Sequence, residues 1–171
     1  MIDCSDESLE KRALALGPLL VRKRRLLATA ESCTGGWIAQ TVTAIAGSSE
    51  WFDRGFVTYS NQAKMDMLGV SDETLDAHGA VSAETAAEMA AGALTRAGVE
   101  VTVAVTGVAG PSGGSAAKPV GTVWFGWCLD GGAPVTRRHC FDGNRESVRR
   151  QTVAIALDGL LELLDGAPAR S

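Results

Sequence analysis

The chain has 171 residues, of which 46% are hydrophobic and 21% are charged, a composition that is ordinary for one globular domain with a substantial core and that excludes a mostly disordered chain. Its 20 aspartates and glutamates outnumber its 16 lysines and arginines, and the net charge of −4 argues against a protein that binds nucleic acid by neutralising phosphates. No apolar run reaches membrane-spanning length and the N-terminus is acidic where a signal peptide is basic, so we expect a cytoplasmic protein with no membrane partner.

The first half of the chain alternates between helical and strand patterns. The predicted elements are a helix over residues 8–20 with an irregularity at Gly17-Pro18, a buried strand from Leu26, a helix over residues 35–45, a strand over residues 51–59, and a short helix that Ser60-Asn61 cap and Gly69 ends. The basic residues 22–25, which lie directly before the buried strand, are expected to form a solvated turn.

The second half predicts one more helix, a central strand, a hairpin and a last helix. The elements are a connector over residues 71–81 with its own helical turn, an alanine-rich helix from Ser82 to Ala97, a strand over residues 99–106, a glycine-rich loop, paired strands over residues 121–129 and 135–141, a helix over residues 145–164, and a frayed tail over residues 166–171. This order predicts an α/β protein, a three-layer α/β/α sandwich over a mixed, mostly parallel sheet with one antiparallel member.

The turn after the first strand is the most distinctive stretch, because Glu31-Ser32-Cys33-Thr34-Gly35-Gly36 joins a strand directly to a helix. Ser32 would lie beside the unpaired amides of a helix N-terminus, which can hold an anion or an oxygen that gains negative charge during a reaction. The two glycines would let a ligand approach the backbone. The alternative is an ordinary helix N-cap, for which serine and threonine are favoured.

Two further junctions are expected at the same end of the sheet as Ser32. Lys64 lies one helical turn inside the helix that follows the second strand, so its long side chain can extend back to the junction. The strand that ends at Thr106 opens into a glycine-rich loop, whose backbone could wrap closely around a ligand or could form a flexible surface loop. We favour the ligand, because ligands of open α/β sheets bind at this end of the strands.

A serine nucleophile needs a base, and the sequence offers few. His78 falls in a connector and His139 in a hairpin strand, where a histidine is more often structural or exposed than catalytic. A lysine can take the role when a buried site lowers its pKa toward neutrality, which makes Lys64 a candidate as well. Neither glycine-rich stretch fits a Walker phosphate loop, and the four cysteines show no zinc-type spacing, so we expect free thiols.

Three long motifs stand out together: AESCTGG at residues 30–36, GFVTYSNQAK at residues 55–64, and GVAGPSGG at residues 107–114 with KPVGTV at residues 118–123. On these motifs the chain resembles the CinA C-terminal domain family in its stand-alone form, the nicotinamide-nucleotide amidohydrolases. The resemblance implies a single domain over residues 1–171 with a core over about 9–164, and the sandwich fold of anticodon-binding domains. It also implies hydrolysis of nicotinamide mononucleotide (NMN) to nicotinic acid mononucleotide and ammonia, in pyridine-nucleotide recycling, with no cofactor and no metal.

The resemblance assigns the catalytic roles to Ser32 as nucleophile and Lys64 as its partner. The expected substrate-binding residues are Glu31, Thr34, Gly35, Tyr59, Thr106, Gly107, Ser112, Gly113 and Arg145. Amides near Thr34 and Gly35 would hold the oxyanion, and amides of the loop over residues 107–113 would hold the phosphate, with the hydroxyls of Thr106 and Ser112 in reach.

Two of these side chains have other interpretations. Tyr59 either lines the site or packs at the end of a strand. Arg145 opposes the helix dipole in the first turn of the last helix, which a bound phosphate would explain, but it could instead be a surface charge paired with Asp142 or Glu146.

Two rival functions stay open at this stage: a non-catalytic nucleotide-binding module, and an amidase for a different small amide. The resemblance also implies a homo-oligomer without a nucleic-acid partner. The aromatic residues Trp124 and Trp127 could supply an interface between subunits, and a strand buried on both faces explains them equally well.

Overall fold

Short runs of β-branched and small apolar residues form a five-stranded sheet in the computed structural model, which describes residues 2–167. The elements in chain order are α1 (Asp6–Lys23), β1 (Leu27–Glu31), α2 (Trp37–Thr43), a 3-10 turn (Ser48–Glu50), β2 (Phe52–Val57), α3 (Asn61–Leu68), α4 (Asp72–His78), α5 (Ala83–Ala97), β3 (Val101–Gly107), β4 (Thr122–Leu129), β5 (Val135–Cys140) and α6 (Arg145–Asp165). Every predicted helix and strand is present in this order.

The strands are arranged in the order β2-β1-β3-β4-β5. β1 pairs in parallel with β2 and with β3, whereas β4 pairs antiparallel with both β3 and β5. Of the five strands, only β4 therefore runs against the others, and the predicted mixed sheet with an antiparallel hairpin is confirmed. β1 and β3 are buried along almost their whole lengths, as expected of central strands that are covered on both faces.

Two hydrophobic clusters cover the opposite faces of the sheet. Alternation along β3 directs Val103 and Val105 into the cluster formed with α1, α2 and α6, and directs Ala104 into the cluster formed with α3, α4 and α5. The helices thus form a layer on each side of the strands. This arrangement confirms the predicted three-layer α/β/α sandwich.

The first helix is longer than predicted and continues through Gly17 and Pro18. Proline cannot donate to the carbonyl one turn earlier, which belongs to Leu14, a half-exposed residue on the outer face of the helix. Gly17 is needed for packing, because a Cβ there would lie 2.9 Å from the indole nitrogen of Trp51. The expected irregularity therefore does not interrupt the helix.

Serine side chains cap three successive helices. The hydroxyls of Ser60, Ser71 and Ser82 each accept a backbone N–H from the residue three positions later, which starts α3, α4 and α5. Gly69, in a left-handed conformation, ends α3 as predicted. Because these caps fix where α3 begins, they also fix the position of Lys64 within it.

Burial changes the interpretation of two surface features. Arg25 is only 6% exposed and forms an ion pair with Asp130, so the expectation of a fully solvated basic turn is wrong for this residue. Trp127 is 3% exposed and donates its indole N–H to the Ala156 carbonyl at 3.0 Å, which favours the buried-strand interpretation.

The remaining expectations concern the cysteines, the tail and the membrane. All four cysteines are free thiols, as predicted. In the predicted frayed tail, Ala167 is buried, and residues 168–171 lie outside the described residues. Between residues 2 and 167, no helix is long and apolar enough to cross a membrane.

Candidate active site

The carboxyl ends of β1, β2 and β3 meet at one edge of the sheet, where backbone hydrogen bonds hold the three exits together. The Ser32 N–H, directly after β1, donates to the Val105 carbonyl at 3.1 Å. The Thr58 N–H, directly after β2, donates to the Glu31 carbonyl at 2.9 Å. The three junctions that the sequence predicted to be neighbours are therefore adjacent, as the rule for open α/β sheets requires.

Ser32 and Lys64 are in direct contact at this edge. Lys64 Nζ lies 3.1 Å from Ser32 Oγ and donates a hydrogen bond to the Thr58 carbonyl at 2.8 Å. If the amine is neutral, its N–H is directed to this carbonyl and its lone pair can accept the proton of the serine hydroxyl. The pair thus has the geometry of a nucleophile and its general base.

The surroundings of Lys64 favour the neutral amine. The side chain is 1% exposed, and among residues 2–167 no carboxylate forms an ion pair with it. Burial consequently lowers the pKa of Lys64 from its ordinary value. A Cys33 thiolate would oppose this effect, but burial raises the pKa of Cys33 to about 12, so its thiol stays neutral at neutral pH.

The carboxylate of Glu31 lies on the opposite side of the strand from Ser32 and has a structural role. One oxygen accepts the Thr34 hydroxyl at 2.8 Å and the Ile38 N–H at 2.7 Å, and the other accepts the Ala39 N–H at 3.0 Å. Burial raises the pKa of this carboxyl, and these hydrogen bonds act against the rise. The first amides of α2 therefore bind a carboxyl group that the chain itself supplies.

The structure does not place the side chains of the predicted substrate-binding residues Glu31 and Thr34 at the cavity. Both are fully buried and engage each other instead. Side chains alternate along a strand, so the residue before Ser32 is directed away from the cavity that Ser32 faces. Their role is to hold the start of α2 in place.

The turn between Ser32 and α2 also differs from the expectation that a helix begins at Gly35. Gly35 and Gly36 both adopt left-handed conformations, with φ of 60° and 99°, and α2 begins only at Trp37. The Gly35 N–H donates to the Ser32 carbonyl at 3.0 Å, so it is already engaged. Within the described chain, the amides of Cys33 and Thr34 donate to no backbone carbonyl, and of these two residues only Cys33 lines the cavity beside Ser32.

A cavity of about 180 Å³ opens at the Ser32–Lys64 pair. Four of the predicted substrate-binding residues line it together with the pair. Among residues 2–167 the lining consists of Ser32, Cys33, Tyr59, Asn61, Lys64, Ala80, Val81, Thr106, Gly107, Ala109 and Arg145. Tyr59 is 62% exposed at the mouth, so it lines the site rather than packing at the end of its strand.

Arg145 is held at the cavity by two neutral acceptors. Its guanidinium donates to the Gly110 carbonyl at 2.7 Å and to the Tyr59 hydroxyl at 3.0 Å. The alternative, a surface ion pair with Asp142 or Glu146, is wrong: Glu146 instead pairs with Arg150 at 3.0 Å. Because no carboxylate of residues 2–167 forms an ion pair with Arg145, its charge is available to an anion in the cavity.

The glycine-rich loop contributes less of the cavity than predicted. Thr106 and Gly107 line it, and the Thr106 hydroxyl donates to the Ala80 carbonyl at 2.7 Å. Ser112 and Gly113 are exposed and are not part of the lining, so their role as phosphate ligands stays a prediction. The base of the loop is tied to the start of β4 by a hydrogen bond from the Val108 N–H to the Thr122 carbonyl, so only its first residues reach the site.

Sequence reasoning missed several lining residues. Cys33 directly follows the predicted site residue Ser32, and Asn61 lies two residues after Tyr59. Both positions come shortly after a strand, and this is the sequence signal that could have identified them. Ala80 and Val81 belong to a connector whose apolar residues carry no chemical pattern.

Neither histidine lines the cavity, and His139 stacks on Phe141 with 5.3 Å between ring centroids. In the described part of the chain, no group of three or more metal-binding side chains is assembled.

Comparison with known proteins shows which family the chain belongs to. The chain is 53% identical over 156 residues to the nicotinamide-nucleotide amidohydrolase PncC of Escherichia coli K12, covering 91% of this chain and 94% of that protein. It is 54% identical over 151 residues to the protein of the same name from Pseudomonas putida, covering 88% of this chain and 94% of the relative.

Solved structures show the same fold. The competence damage-inducible protein A from Klebsiella pneumoniae superposes with a TM-score of 0.90 at 40% identity, covering 94% of this chain and 99% of that one. A competence/damage inducible protein from Agrobacterium tumefaciens superposes with a TM-score of 0.84 at 46% identity, covering 95% and 97%. The family profile of the CinA C-terminal domain matches residues 9–164, and with these relatives it shows that the chain belongs to the CinA C-terminal domain family.

Proposed function

We propose that this chain hydrolyses the carboxamide of NMN to give nicotinic acid mononucleotide and ammonia, within pyridine-nucleotide recycling. The observation that carries the proposal is the buried contact of 3.1 Å between Ser32 Oγ and Lys64 Nζ. Relatives at 53% and 54% identity bear the name nicotinamide-nucleotide amidohydrolase, which supplies the substrate. The Ser32–Lys64 pair alone would support any acyl transfer. The proposed substrate is therefore inferred from the names of the relatives, and the proposed mechanism is inferred from the geometry of the site.

The first half of the reaction forms an acyl-enzyme. Ser32 transfers its proton to neutral Lys64 and its oxygen attacks the carboxamide carbon, so the carbonyl oxygen becomes an oxyanion. The Cys33 amide, which lies beside Ser32 in the lining of the cavity, is the proposed donor to this oxyanion. The ammonium of Lys64 then protonates the departing nitrogen, ammonia leaves, and the nicotinoyl group remains as an ester on Ser32.

The second half of the reaction reverses these roles with water. Lys64, neutral again, removes a proton from a water molecule that attacks the ester carbon. The same amide stabilises the second oxyanion, whose collapse returns the proton to Ser32 and releases the carboxylic acid. The Thr58 carbonyl, 2.8 Å from Lys64 Nζ, orients the amine in both halves.

The charge on the substrate also suits a neutral lysine. The pyridinium ring of NMN carries a positive charge, and a positive charge beside Lys64 further disfavours its protonated form. A free amide without this charge lacks that effect.

The size and charge of the cavity fit one end of a mononucleotide. Its volume of about 180 Å³ is below the range of about 300–1,000 Å³ that is usual for pockets that enclose a whole ligand. We therefore place the pyridine ring inside, with the ribose and phosphate extending to the mouth. There Arg145 and the Tyr59 hydroxyl would bind the phosphate.

A panel assay of ammonia release tests the substrate. We expect release from NMN to exceed release from nicotinamide and from other small amides at equal concentration. Preference for another amide would replace NMN as the substrate. Binding of NMN without ammonia release would favour a non-catalytic nucleotide-binding module.

The assembly and location of the enzyme are further parts of the proposal. We propose a cytoplasmic homo-oligomer without a nucleic-acid partner, as the family resemblance implies. Sedimentation at micromolar concentration tests the assembly, and a monomer at that concentration would contradict it.

A further inference from the structure

Arg149 on α6 forms hydrogen bonds with the turn that follows Ser32. Its Nε donates to the Cys33 carbonyl at 3.1 Å and its Nη2 donates to the Thr34 carbonyl at 2.9 Å. The guanidinium also lies over the Trp37 ring, with its carbon 5.1 Å from the ring centroid. One planar fork therefore holds two consecutive peptide groups from an element more than a hundred residues away in the chain.

The direction of these carbonyls fixes the direction of the next two amides. In a trans peptide, the N–H of one residue lies antiparallel to the carbonyl of the residue before it. The N–H groups of Thr34 and Gly35 are consequently turned away from Arg149. For Gly35 this is visible in the structure, because its N–H donates to the Ser32 carbonyl at 3.0 Å.

The Cys33 amide is the group of this turn that remains available to an anion. In the described residues it donates to no backbone carbonyl, and Cys33 lines the cavity beside Ser32, whereas Thr34 is fully buried and does not line it. An unpaired amide next to a nucleophile is the group that an oxyanion needs, provided that it is held in one orientation.

We propose that Arg149 is a positioning residue that fixes the Cys33–Thr34 peptide, and with it Cys33, so that the Cys33 amide beside Ser32 is held as the oxyanion donor. This inference rests on the proposed function, because it assigns a role within the same reaction. Arg149 itself does not line the cavity, so it acts through the turn and not on the substrate.

Arg150 provides a matched control. Its guanidinium carbon lies over the same Trp37 ring at 5.0 Å, but its side chain pairs with Asp6 and Glu146 and makes no hydrogen bond to the turn. Replacement of either arginine removes a cation from the Trp37 ring, but only replacement of Arg149 also removes the two hydrogen bonds to the carbonyls of the turn. The comparison separates orientation of the turn from packing on Trp37.

The test measures kcat and KM for NMN in Arg149→Ala, Arg149→Met and Arg150→Ala. Displacement of a catalytic group by about 1 Å can cost roughly 10²-fold in rate, so we expect kcat of both Arg149 variants to fall about 10²-fold with little change in KM. Methionine keeps an apolar stem over Trp37, so Arg149→Met keeps the test valid if the alanine variant fails to fold. Millimolar guanidinium should restore part of the kcat of Arg149→Ala and leave Arg150→Ala unchanged.

Two results would overturn the proposal. One is a kcat of Arg149→Met equal to that of Arg150→Ala. The other is a rise in KM at unchanged kcat, which would make Arg149 a substrate-binding residue. Ser32→Ala distinguishes the underlying reaction: if that variant keeps full activity, the proposed mechanism fails whatever Arg149 does.

Discussion

Replacing Lys64 by methionine should affect activity and stability differently, because only the change in the free energy of unfolding should depend on pH. The substitution keeps an unbranched apolar stem at a position that is 1% exposed and removes only the amine. The lost amine takes with it the hydrogen bonds to Ser32 Oγ and to the Thr58 carbonyl. Activity should be lost at every pH, because the base is gone.

The effect on stability has two opposing parts. Loss of two hydrogen bonds lowers the free energy of unfolding by about 1–3 kcal/mol at any pH. Burial, however, holds the pKa of Lys64 below its ordinary value of 10.5, so between the lowered pKa and 10.5 the unfolded chain binds more protons than the folded one. The parent therefore becomes more stable as the pH rises through this window, by about 1.4 kcal/mol for each unit by which the pKa is lowered.

Lys64→Met lacks this pH-dependent contribution. Relative to the parent, the variant should therefore be most stable near neutral pH. As the pH rises toward 10.5 the parent gains stability and the variant does not, so the variant becomes less stable relative to the parent. At pH 10.5 the remaining difference in the free energy of unfolding comes only from the lost hydrogen bonds. Urea unfolding followed by circular dichroism at pH 7 and pH 10 measures it.

Lys11→Met is the matched control, because the Lys11 side chain is 71% exposed. Its difference from the parent should be the same at both pH values. A pH-independent difference for Lys64→Met as well would refute the reasoning, since Lys64 would then carry the same charge in the folded and unfolded chains.

Three further predictions concern the phosphate, the thiol beside the nucleophile and the packing of α3. In steady-state assays Arg145→Ala should raise KM for NMN about 10- to 100-fold, which is the equivalent of one hydrogen bond to a charged group, and should leave hydrolysis of phosphate-free nicotinamide riboside nearly unchanged. Equal loss on both substrates would indicate damaged folding. Cys33→Ala should keep most of the parent's kcat, because burial raises the pKa of this thiol to about 12 and leaves it unreactive, and a loss as large as that of Ser32→Ala would contradict this. Gly92→Ala should lower the free energy of unfolding by about 1–3 kcal/mol, since its Cβ would lie 1.9 Å from the Leu68 carbonyl oxygen at the contact between α3 and α5. An unchanged midpoint of thermal or urea unfolding would show that α3 and α5 can shift apart without cost.

Local chemistry made much of the fold predictable. Ser60 and Ser82 are favoured N-caps, and the turn after β4 favours a hairpin, so the starts of α3 and α5 and the pairing of the last strands could be read directly. The contact between Ser32 and Lys64 was also predictable. Both follow the carboxyl ends of neighbouring parallel strands, and these ends converge in any sheet of this class.

The errors have one physical origin, which is that sequence does not show which group satisfies which donor. Glu31 lies next to Ser32 in the chain, yet strand alternation turns its carboxyl group to the start of α2, where it accepts the N–H groups of Ile38 and Ala39 instead of facing the cavity. Arg149 carries no signal in its own helix, because its acceptors in the turn are more than a hundred residues away. Such long-range pairings follow from packing and leave no local pattern.

The most direct test of the account is the kcat of Ser32→Ala on NMN, followed by ammonia release, with Ser49→Ala as the control on an exposed serine. Loss of a nucleophile that acts as a unit with its base should lower kcat by several orders of magnitude, while Ser49→Ala keeps the activity of the parent. Unchanged thermal midpoints would show that both variants are folded. If folded Ser32→Ala released ammonia from NMN as fast as the parent, the acyl-enzyme mechanism and the role of the Ser32–Lys64 pair would both be wrong.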